Sequence, residues 1–264
     1  MDNRCAFVIF AHNGVHTNED VQDMIDNISH FHNNCDFLVN HPTLTHPNIR
    51  LRHSVGPLNN SNFIFGAFEA LVRSLSVDEI NSYDHFCLVS ANQYFINKIE
   101  FNKDVNYVQF LNTENWDSTY IGKDMPKEII GFPLQQPYGR WDPRDLYKIL
   151  GIELPMSANW ECATLTNKAM VLAKEHIDTC VNLYPNMDMI NVFPPFMALL
   201  SGQEWEFPKH FGTYDPSNTN QPKNNIITIE QLEQKHKEGY YSVKRVNYKK
   251  ECSIKDYIKT NYYD

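Results

Sequence analysis

The chain has 264 residues, with 23 Lys and Arg against 32 Asp and Glu and a formal net charge of −9. Hydrophobic residues make up 42% and aromatic residues 13%, a globular composition that excludes a disordered or fibrous chain. The acidity argues against a nucleic-acid or anionic-membrane binder, because such proteins present a basic surface.

The first half of the sequence alternates strand-like and helix-like segments. Strands are predicted at 5–11, 35–39, 49–52 and 86–89, and helices at 17–31 and 62–75. Thr17 or Asn18 is suited to cap the first helix through its side-chain oxygen. Such alternation predicts an α/β fold, in which a mixed, mainly parallel sheet is flanked by helices.

The second half is less regular. A strand is predicted at 105–110, a loop-rich segment at 112–145 and a strand followed by a helix at 157–177. An apolar segment at 188–201 is interrupted by Pro194 and Pro195. Towards the end of the sequence we predict a helix capped by Thr228 and Gln231 up to about 238, a strand or turn at 240–246 and a helix at 254–258. No linker or repeat divides the chain. We therefore expect one domain over 1–264, with a nucleotide-binding half at 1–100 and an acceptor half at 101–264 that ends in a basic segment.

Polar residues follow three of the predicted strands. They are His12 and Asn13, Asn40 and His41, and Ser90, Asn92 and Gln93. Ligands of α/β sheets bind outside the carboxyl ends of the strands, so these residues are predicted to line a ligand site. The chain has neither a G-x-G-x-x-G dinucleotide motif nor a G-x-x-x-x-G-K-[ST] phosphate loop, which argues against those two nucleotide-binding classes.

Residues 235–259 form a basic segment in an acidic chain. They contain eight Lys or Arg and three Asp or Glu, so the segment carries +5 and the rest of the chain −14. Either the segment binds an anion, or it contains an ordinary solvated helix face.

Four segments resemble the core-2/I-branching family, the β-1,6-N-acetylglucosaminyltransferases and xylosyltransferases. They are Phe-Val-Ile-Phe-Ala-His at 7–12, Phe-Leu-Val-Asn-His-Pro at 37–42, Leu-Val-Ser-Ala-Asn-Gln-Tyr-Phe-Ile at 88–96 and Ser-Ala-Asn-Trp-Glu-Cys-Ala-Thr-Leu-Thr at 157–166. A fifth segment, Tyr-Ser-Val-Lys-Arg-Val at 241–246, looks like a C-terminal signature of related bacterial and viral transferases. Asn40 and Gln93 stand where the family often has acids. The resemblance implies a GT-A-like (Rossmann-like) fold and an inverting, metal-independent transfer of GlcNAc or xylose from a UDP-sugar to a glycan hydroxyl, with no cofactor besides the donor.

The resemblance also implies roles for the polar strand ends and the basic segment. His12, Asn13, Asn40 and His41 would line the nucleotide pocket, and Ser90, Asn92 and Gln93 would lie under the donor sugar. No Asp-x-Asp metal motif occurs in the chain, so cations would have to stabilise the leaving diphosphate. Lys244 and Arg245 are predicted to do so, and because neighbouring side chains of a strand point apart, only one of them is expected to face it.

The remaining roles belong to the acceptor. An inverting transfer needs a base for the proton of the acceptor hydroxyl, and the candidates are Asp188, Glu161 and Glu204. Trp160 and Trp141 could stack on the acceptor sugar, and Arg140 could contact its hydroxyls.

Three alternatives stay open. The first is a metal-dependent GT-A transferase whose acids are not arranged as Asp-x-Asp, and the second is a non-catalytic nucleotide- or carbohydrate-binding protein of the same fold. The third is an interaction scaffold that binds no nucleotide. The sequence has no signal-peptide core and no apolar run of the roughly 20 residues that a membrane span needs. A cytoplasmic protein of a bacterium or a viral host is therefore expected, with no nucleic-acid partner and no membrane span.

Overall fold

The computed structural model describes residues 3–11, 16–39, 49–52, 63–110, 149, 158–183, 189–190, 192–212, 226–247 and 249–263. The chain forms two compact units. Unit 1 comprises Met1–Ser54, Cys87–Asn102 and Lys209–Asp264, and unit 2 comprises Val55–Phe86 and Lys103–Pro208. The single domain and the division into 1–100 and 101–264 stay predictions.

The elements follow in chain order. They are β1 (Cys5–Phe10), α1 (Asn18–Phe31), β2 (Cys35–Val39), β3 (Ile49–Arg52), α2 (Phe63–Ser74), α3 (Val77–Asn81), β4 (His85–Ser90), β5 (Gln93–Phe95), β6 (Val105–Phe110), β7 (Ala158–Thr166), α4 (Asn167–Leu183), α5 (Phe193–Leu200), β8 (Glu204–Glu206), β9 (His210–Phe211), α6 (Ile229–Lys237), β10 (Ser242–Lys244) and α7 (Ser253–Tyr262).

Unit 1 contains a parallel sheet built on β1. β1 pairs in parallel with β2 and β2 with β3, and residues 87–90 of β4 extend the order to β3-β2-β1-β4. Every residue of β1 is buried, as its continuous apolar sequence predicts. Thr17 caps α1 and forms a capping box with Asp20, which confirms the predicted helix start.

A second, three-stranded sheet in unit 1 has the order β5-β10-β9. β10 lies in the middle, antiparallel to β5 and parallel to β9. One side of this small sheet packs on a buried cluster of apolar residues. The cluster consists of Tyr94, Ile96, Ile227, Leu232, Val243, Val246, Ile254 and Ile258.

Helix α1 of unit 1 holds β5 in place and is joined to α7 by ion pairs. From α1, Asn27 accepts a hydrogen bond from the Phe95 N–H at 2.8 Å and donates to the Phe95 carbonyl at 2.9 Å. The carboxylate of Asp23, also on α1, binds Lys255 Nζ at 2.9 Å and the ammonium of Lys259, both from α7. The Asp23 and Lys255 side chains are each 2% exposed, so this ion pair lies in the interior.

Unit 2 is built on β6, which is antiparallel to β7 and parallel to β8. Its helices pack through aromatic rings, such as Phe65 of α2 edge-on to Phe193 of α5 at 5.9 Å between ring centroids. The prolines at 194 and 195 lie in the first turn of α5, where a missing N–H costs no helical hydrogen bond. They therefore begin a helix rather than interrupt the apolar segment.

The predicted strands and helices are confirmed for the described residues, and four short elements were not predicted: α3, β5, β8 and β9. The three strands have two or three residues each, too few for a period-two pattern to be recognised in the sequence. Within the described part of the chain, no helix is both long and apolar enough to cross a membrane.

Candidate functional site

The small sheet β5-β10-β9 has two chemically different faces. Residues directly opposite each other on paired strands share a face, and so do residues two apart on one strand. Val243 is opposite both Tyr94 and Phe211, and all three pack in the apolar cluster of unit 1. The alternate residues therefore lie on the other side of the sheet.

That other side, which we call the polar face, carries Gln93, His210, Ser242 and Lys244, together with one aromatic residue, Phe95, opposite Ser242. Lys244 is opposite Gln93, and Ser242 is opposite His210. Gln93, His210 and Ser242 are 1%, 5% and 0% exposed, so the polar face is largely buried. Buried polar groups need partners, because a lost hydrogen bond is not replaced by water.

Hydrogen bonds connect the polar face to the turn that precedes β5. The Ser90 N–H donates to Gln93 Oε1 at 3.3 Å, and Gln93 Nε2 donates to Ser242 Oγ at 3.3 Å. Ser90 Oγ donates to Asn92 Oδ1 at 2.8 Å. The Val246 N–H, just after β10, donates to the Asn92 carbonyl at 3.1 Å.

The structure thus brings together two groups of predicted site residues that lie about 150 positions apart in the chain. Ser90, Asn92 and Gln93 were assigned to the donor sugar, and Lys244 and Arg245 to the diphosphate. Pairing of β5 with β10 places both groups at one end of the small sheet. Their roles stay predictions.

The backbone at Lys244 and Arg245 departs from the continuous strand that the sequence predicts there. β10 ends at Lys244, and Arg245 has a φ of 62°, in the left-handed region. Strand alternation therefore does not decide which of the two side chains faces a ligand. A non-glycine residue held there costs about 1 kcal/mol or more, and such strain is found preferentially at functional sites.

Burial, and next to it the charge of Arg245, lower the pKa of Lys244 from 10.5 to about 8. Both effects disfavour the ammonium in the ligand-free protein. A bound anion beside Lys244 would act in the opposite direction and stabilise the charged form. The pair is thus electrostatically suited to a diphosphate.

The acid Glu161 of unit 2 lies in a distortion of β7. Tyr107 of β6 pairs with Thr164, but Gln109 pairs with Asn159, so a step of two residues on β6 corresponds to five on β7. The bulged segment contains Cys162 with a φ of 59°. Glu161 is 7% exposed. Bulges of this kind redirect side chains and occur often beside active sites.

The other predicted acceptor residues differ in their surroundings. Glu204 is exposed on β8, and Trp160 of β7 is 5% exposed, so its indole packs inside the protein. Seven further candidates lie outside the described residues: His12, Asn13, Asn40, His41, Arg140, Trp141 and Asp188. The catalytic and acceptor-binding roles of all these residues stay predictions.

Two polar residues of the polar face were not singled out from the sequence. Ser242 lies two positions before Lys244, so period-two alternation could have placed it on the same face. His210 lies on a strand of two residues, which gives no periodic signal. No group of three or more His, Cys, Asp or Glu that could hold a metal occurs in the part of the chain that the structure describes.

No protein-family model matches the sequence, and no curated protein matches it. Solved structures do match its fold. All of this chain aligns with half of WbbM, a bifunctional glycosyltransferase, at 12% identity and a TM-score of 0.52. A second match is GlyE, a glycosyltransferase of Streptococcus pneumoniae TIGR4. In this alignment 98% of this chain matches 60% of GlyE, at 7% identity and a TM-score of 0.47.

The chain therefore spans only about half the length of the first of these enzymes. At this identity the likeness to WbbM concerns the fold. It confirms the GT-A-like α/β fold, with a mixed, mainly parallel sheet flanked by helices, that the sequence predicts.

Proposed function

We propose that this chain is an inverting, metal-independent glycosyltransferase that moves a sugar, GlcNAc or xylose, from a UDP-sugar to a glycan hydroxyl. The observation that carries the proposal is the buried polar face beside Lys244 and Arg245, in a chain whose fold matches that of a glycosyltransferase. The resemblance of four sequence segments to the core-2/I-branching family supports the choice of donor sugar.

In the proposed reaction the acceptor oxygen attacks the anomeric carbon of the donor sugar while its bond to the UDP phosphate breaks. The bonding electrons leave with UDP, so negative charge grows on the diphosphate. Lys244 and Arg245 would stabilise that charge. A carboxylate base takes the proton of the acceptor hydroxyl. Of the candidates Asp188, Glu161 and Glu204, Glu161 is the first to test, because it is buried in the bulge of β7.

The proposal is tested by thermal unfolding with UDP and a panel of UDP-sugars, each with and without a chelator. A ligand that binds only the folded protein at 100 times its Kd adds about 2.7 kcal/mol to the free energy of unfolding. We expect UDP and one UDP-sugar to raise the Tm by several degrees in both conditions. A rise that the chelator abolishes would favour the metal-dependent alternative. Binding without transfer or donor hydrolysis would favour the non-catalytic one, and no rise with any nucleotide would overturn the proposal.

Replacing Glu161 with Gln is expected to lower kcat about 100-fold or more, because the amide cannot accept the acceptor proton. Steady-state transfer with the donor identified above measures this effect. The matched control is Glu206→Gln, which alters an exposed acid of unit 2 that is not a candidate base and should change kcat less than twofold. Wild-type turnover in Glu161→Gln would exclude Glu161 as the base.

UDP binding is expected to weaken as the pH rises past 8. Well below pH 8 Lys244 carries its proton, so this lysine adds no pH dependence to the affinity there. Bound diphosphate raises the pKa of Lys244, so the affinity falls as the free protein loses this proton. Isothermal titration calorimetry at constant ionic strength should give about tenfold weaker binding at pH 9 than at pH 7. Lys244→Met should bind weakly with little change between these two pH values. An equal decline in wild type and variant would show that Lys244 is not the titrating group.

A further inference from the structure

His210 is a buried histidine on the polar face that the proposed reaction does not use. Its side chain belongs to β9, and its Nδ1 lies 2.8 Å from Ser242 Oγ. Burial lowers the pKa of His210 from 6.5 to about 3, so the imidazole is neutral under physiological conditions. A neutral imidazole has one nitrogen that donates a hydrogen bond and one that accepts.

The hydrogen bonds around Gln93 decide the orientation of its side-chain amide. A backbone N–H can only donate, so the contact from Ser90 N assigns Oε1 to that side of the Gln93 amide. Gln93 Nε2 therefore faces Ser242 and donates to its Oγ. Ser242 Oγ, which accepts from Gln93, lies 2.8 Å from His210 Nδ1, and a hydroxyl can either donate to that nitrogen or accept from it. Within the described residues, His210 Nε2 has no hydrogen-bond partner.

These contacts form a continuous chain from His210 through Ser242 and Gln93 to the backbone of Ser90, which we call the His-Ser-Gln relay. The relay crosses all three strands of the small sheet. Its middle member lies two residues before Lys244, and Gln93 is directly opposite Lys244. The relay therefore links the position of the Ser90–Gln93 turn to that of the lysine.

We propose that His210 is a positioning residue for donor binding, which acts through Ser242 and Gln93 to hold the Ser90–Gln93 turn in register with Lys244. The proposal rests on the proposed function, because it assumes that a UDP-sugar binds at the polar face. The polar atom at the place of Nδ1 is the feature that matters, because it forms the hydrogen bond that joins β9 to Ser242. A histidine that merely fills space would have no such requirement.

The test compares His210→Leu, which removes the polar atom, with His210→Asn, whose side-chain amide can place either Oδ1 or Nδ2 where Nδ1 lies. We expect His210→Leu to raise the KM for the donor about tenfold while kcat changes less than threefold. We expect His210→Asn to keep the KM within about threefold of wild type. Should His210→Leu fold poorly, Ser242→Ala breaks the same relay with a smaller change in packing and should raise the KM to the same extent.

The matched control is Val243→Ala, which disturbs the same strand on its apolar face and should leave the donor KM unchanged. The proposal is wrong if His210→Asn and His210→Leu have the same KM, or if Val243→Ala raises the KM as much as they do.

Hydrogen exchange at the Ser90 amide gives a readout that needs no ligand. We expect faster exchange in His210→Leu and Ser242→Ala than in wild type. In Val243→Ala the exchange should be faster only to the extent that the lower global stability of that variant accounts for. If wild type binds no nucleotide but Ser90 responds in this way, the proposed function fails and the relay remains. If nucleotide binds but the exchange and the KM do not respond, the relay alone is disproved.

Discussion

Arg245→Gly is expected to abolish most sugar transfer without destabilising the protein. Removing the guanidinium should lower kcat about 100-fold, in line with the loss of one group that stabilises transition-state charge. The left-handed backbone at this position, with a φ of 62°, suits glycine. Relief of that strain is partly offset by the greater freedom of glycine in the unfolded chain, so the free energy of unfolding should stay equal or rise by up to about 1 kcal/mol.

The control for this prediction is Asp104→Gly. Asp104 has nearly the same backbone conformation, with a φ of 65°, but lies on the surface of unit 2. Its replacement should relieve the same kind of strain and leave transfer unchanged. Urea unfolding and steady-state kinetics measure the two effects for both variants. Transfer at the wild-type rate in Arg245→Gly would remove Arg245 from the proposed diphosphate site.

Asp23→Ala is expected to lower the free energy of unfolding by about 3–5 kcal/mol, the largest stability effect that the structure predicts. The reason is that Lys255 is 1% exposed and would be left as a buried charge without its carboxylate. Lys259, the second partner of Asp23, is 34% exposed and can reach water. Chemical denaturation monitored by circular dichroism gives the difference directly.

Two further variants separate the ion pair from general disturbance of α1. Asp26→Ala removes an exposed acid three residues along the helix and should change stability by less than about 0.5 kcal/mol. Adding Lys255→Met to Asp23→Ala removes the buried charge as well and should restore part of the lost stability. A loss below about 1 kcal/mol in Asp23→Ala would show that the pair does not hold α7 to α1.

The local elements of this protein could largely be predicted from its sequence. Helix α1 begins where Thr17 can cap it, and α6 begins at the capping box of Thr228 and Gln231. These signals succeed because a cap depends on residues three positions apart. The prolines at 194 and 195 show the limit of such reasoning, since a proline ends a helix in its interior but is tolerated in the first turn.

The candidate site could be predicted in its residues but not in its assembly. The motif comparison singled out Ser90, Asn92 and Gln93 and, separately, Lys244 and Arg245. Their proximity depends on hydrogen bonds between β5 and β10, two strands of three residues each. Strands this short have no sequence signature, because their pairing is stabilised by the tertiary structure around them. His210 was missed for the same reason.

The sequence by itself determined that an acidic chain contains a segment with a charge of +5. Only the tertiary structure decided what individual cations of that segment do. Lys255 and Lys259 bind Asp23, and Lys235 binds Glu238 at 2.6 Å, so these three charges serve the folded structure of unit 1. Lys244 lies on the polar face, opposite Gln93, and Arg245 follows it directly in the chain. The physical reason is that charge is counted along the chain, whereas ion pairs form between groups within a few ångströms in space.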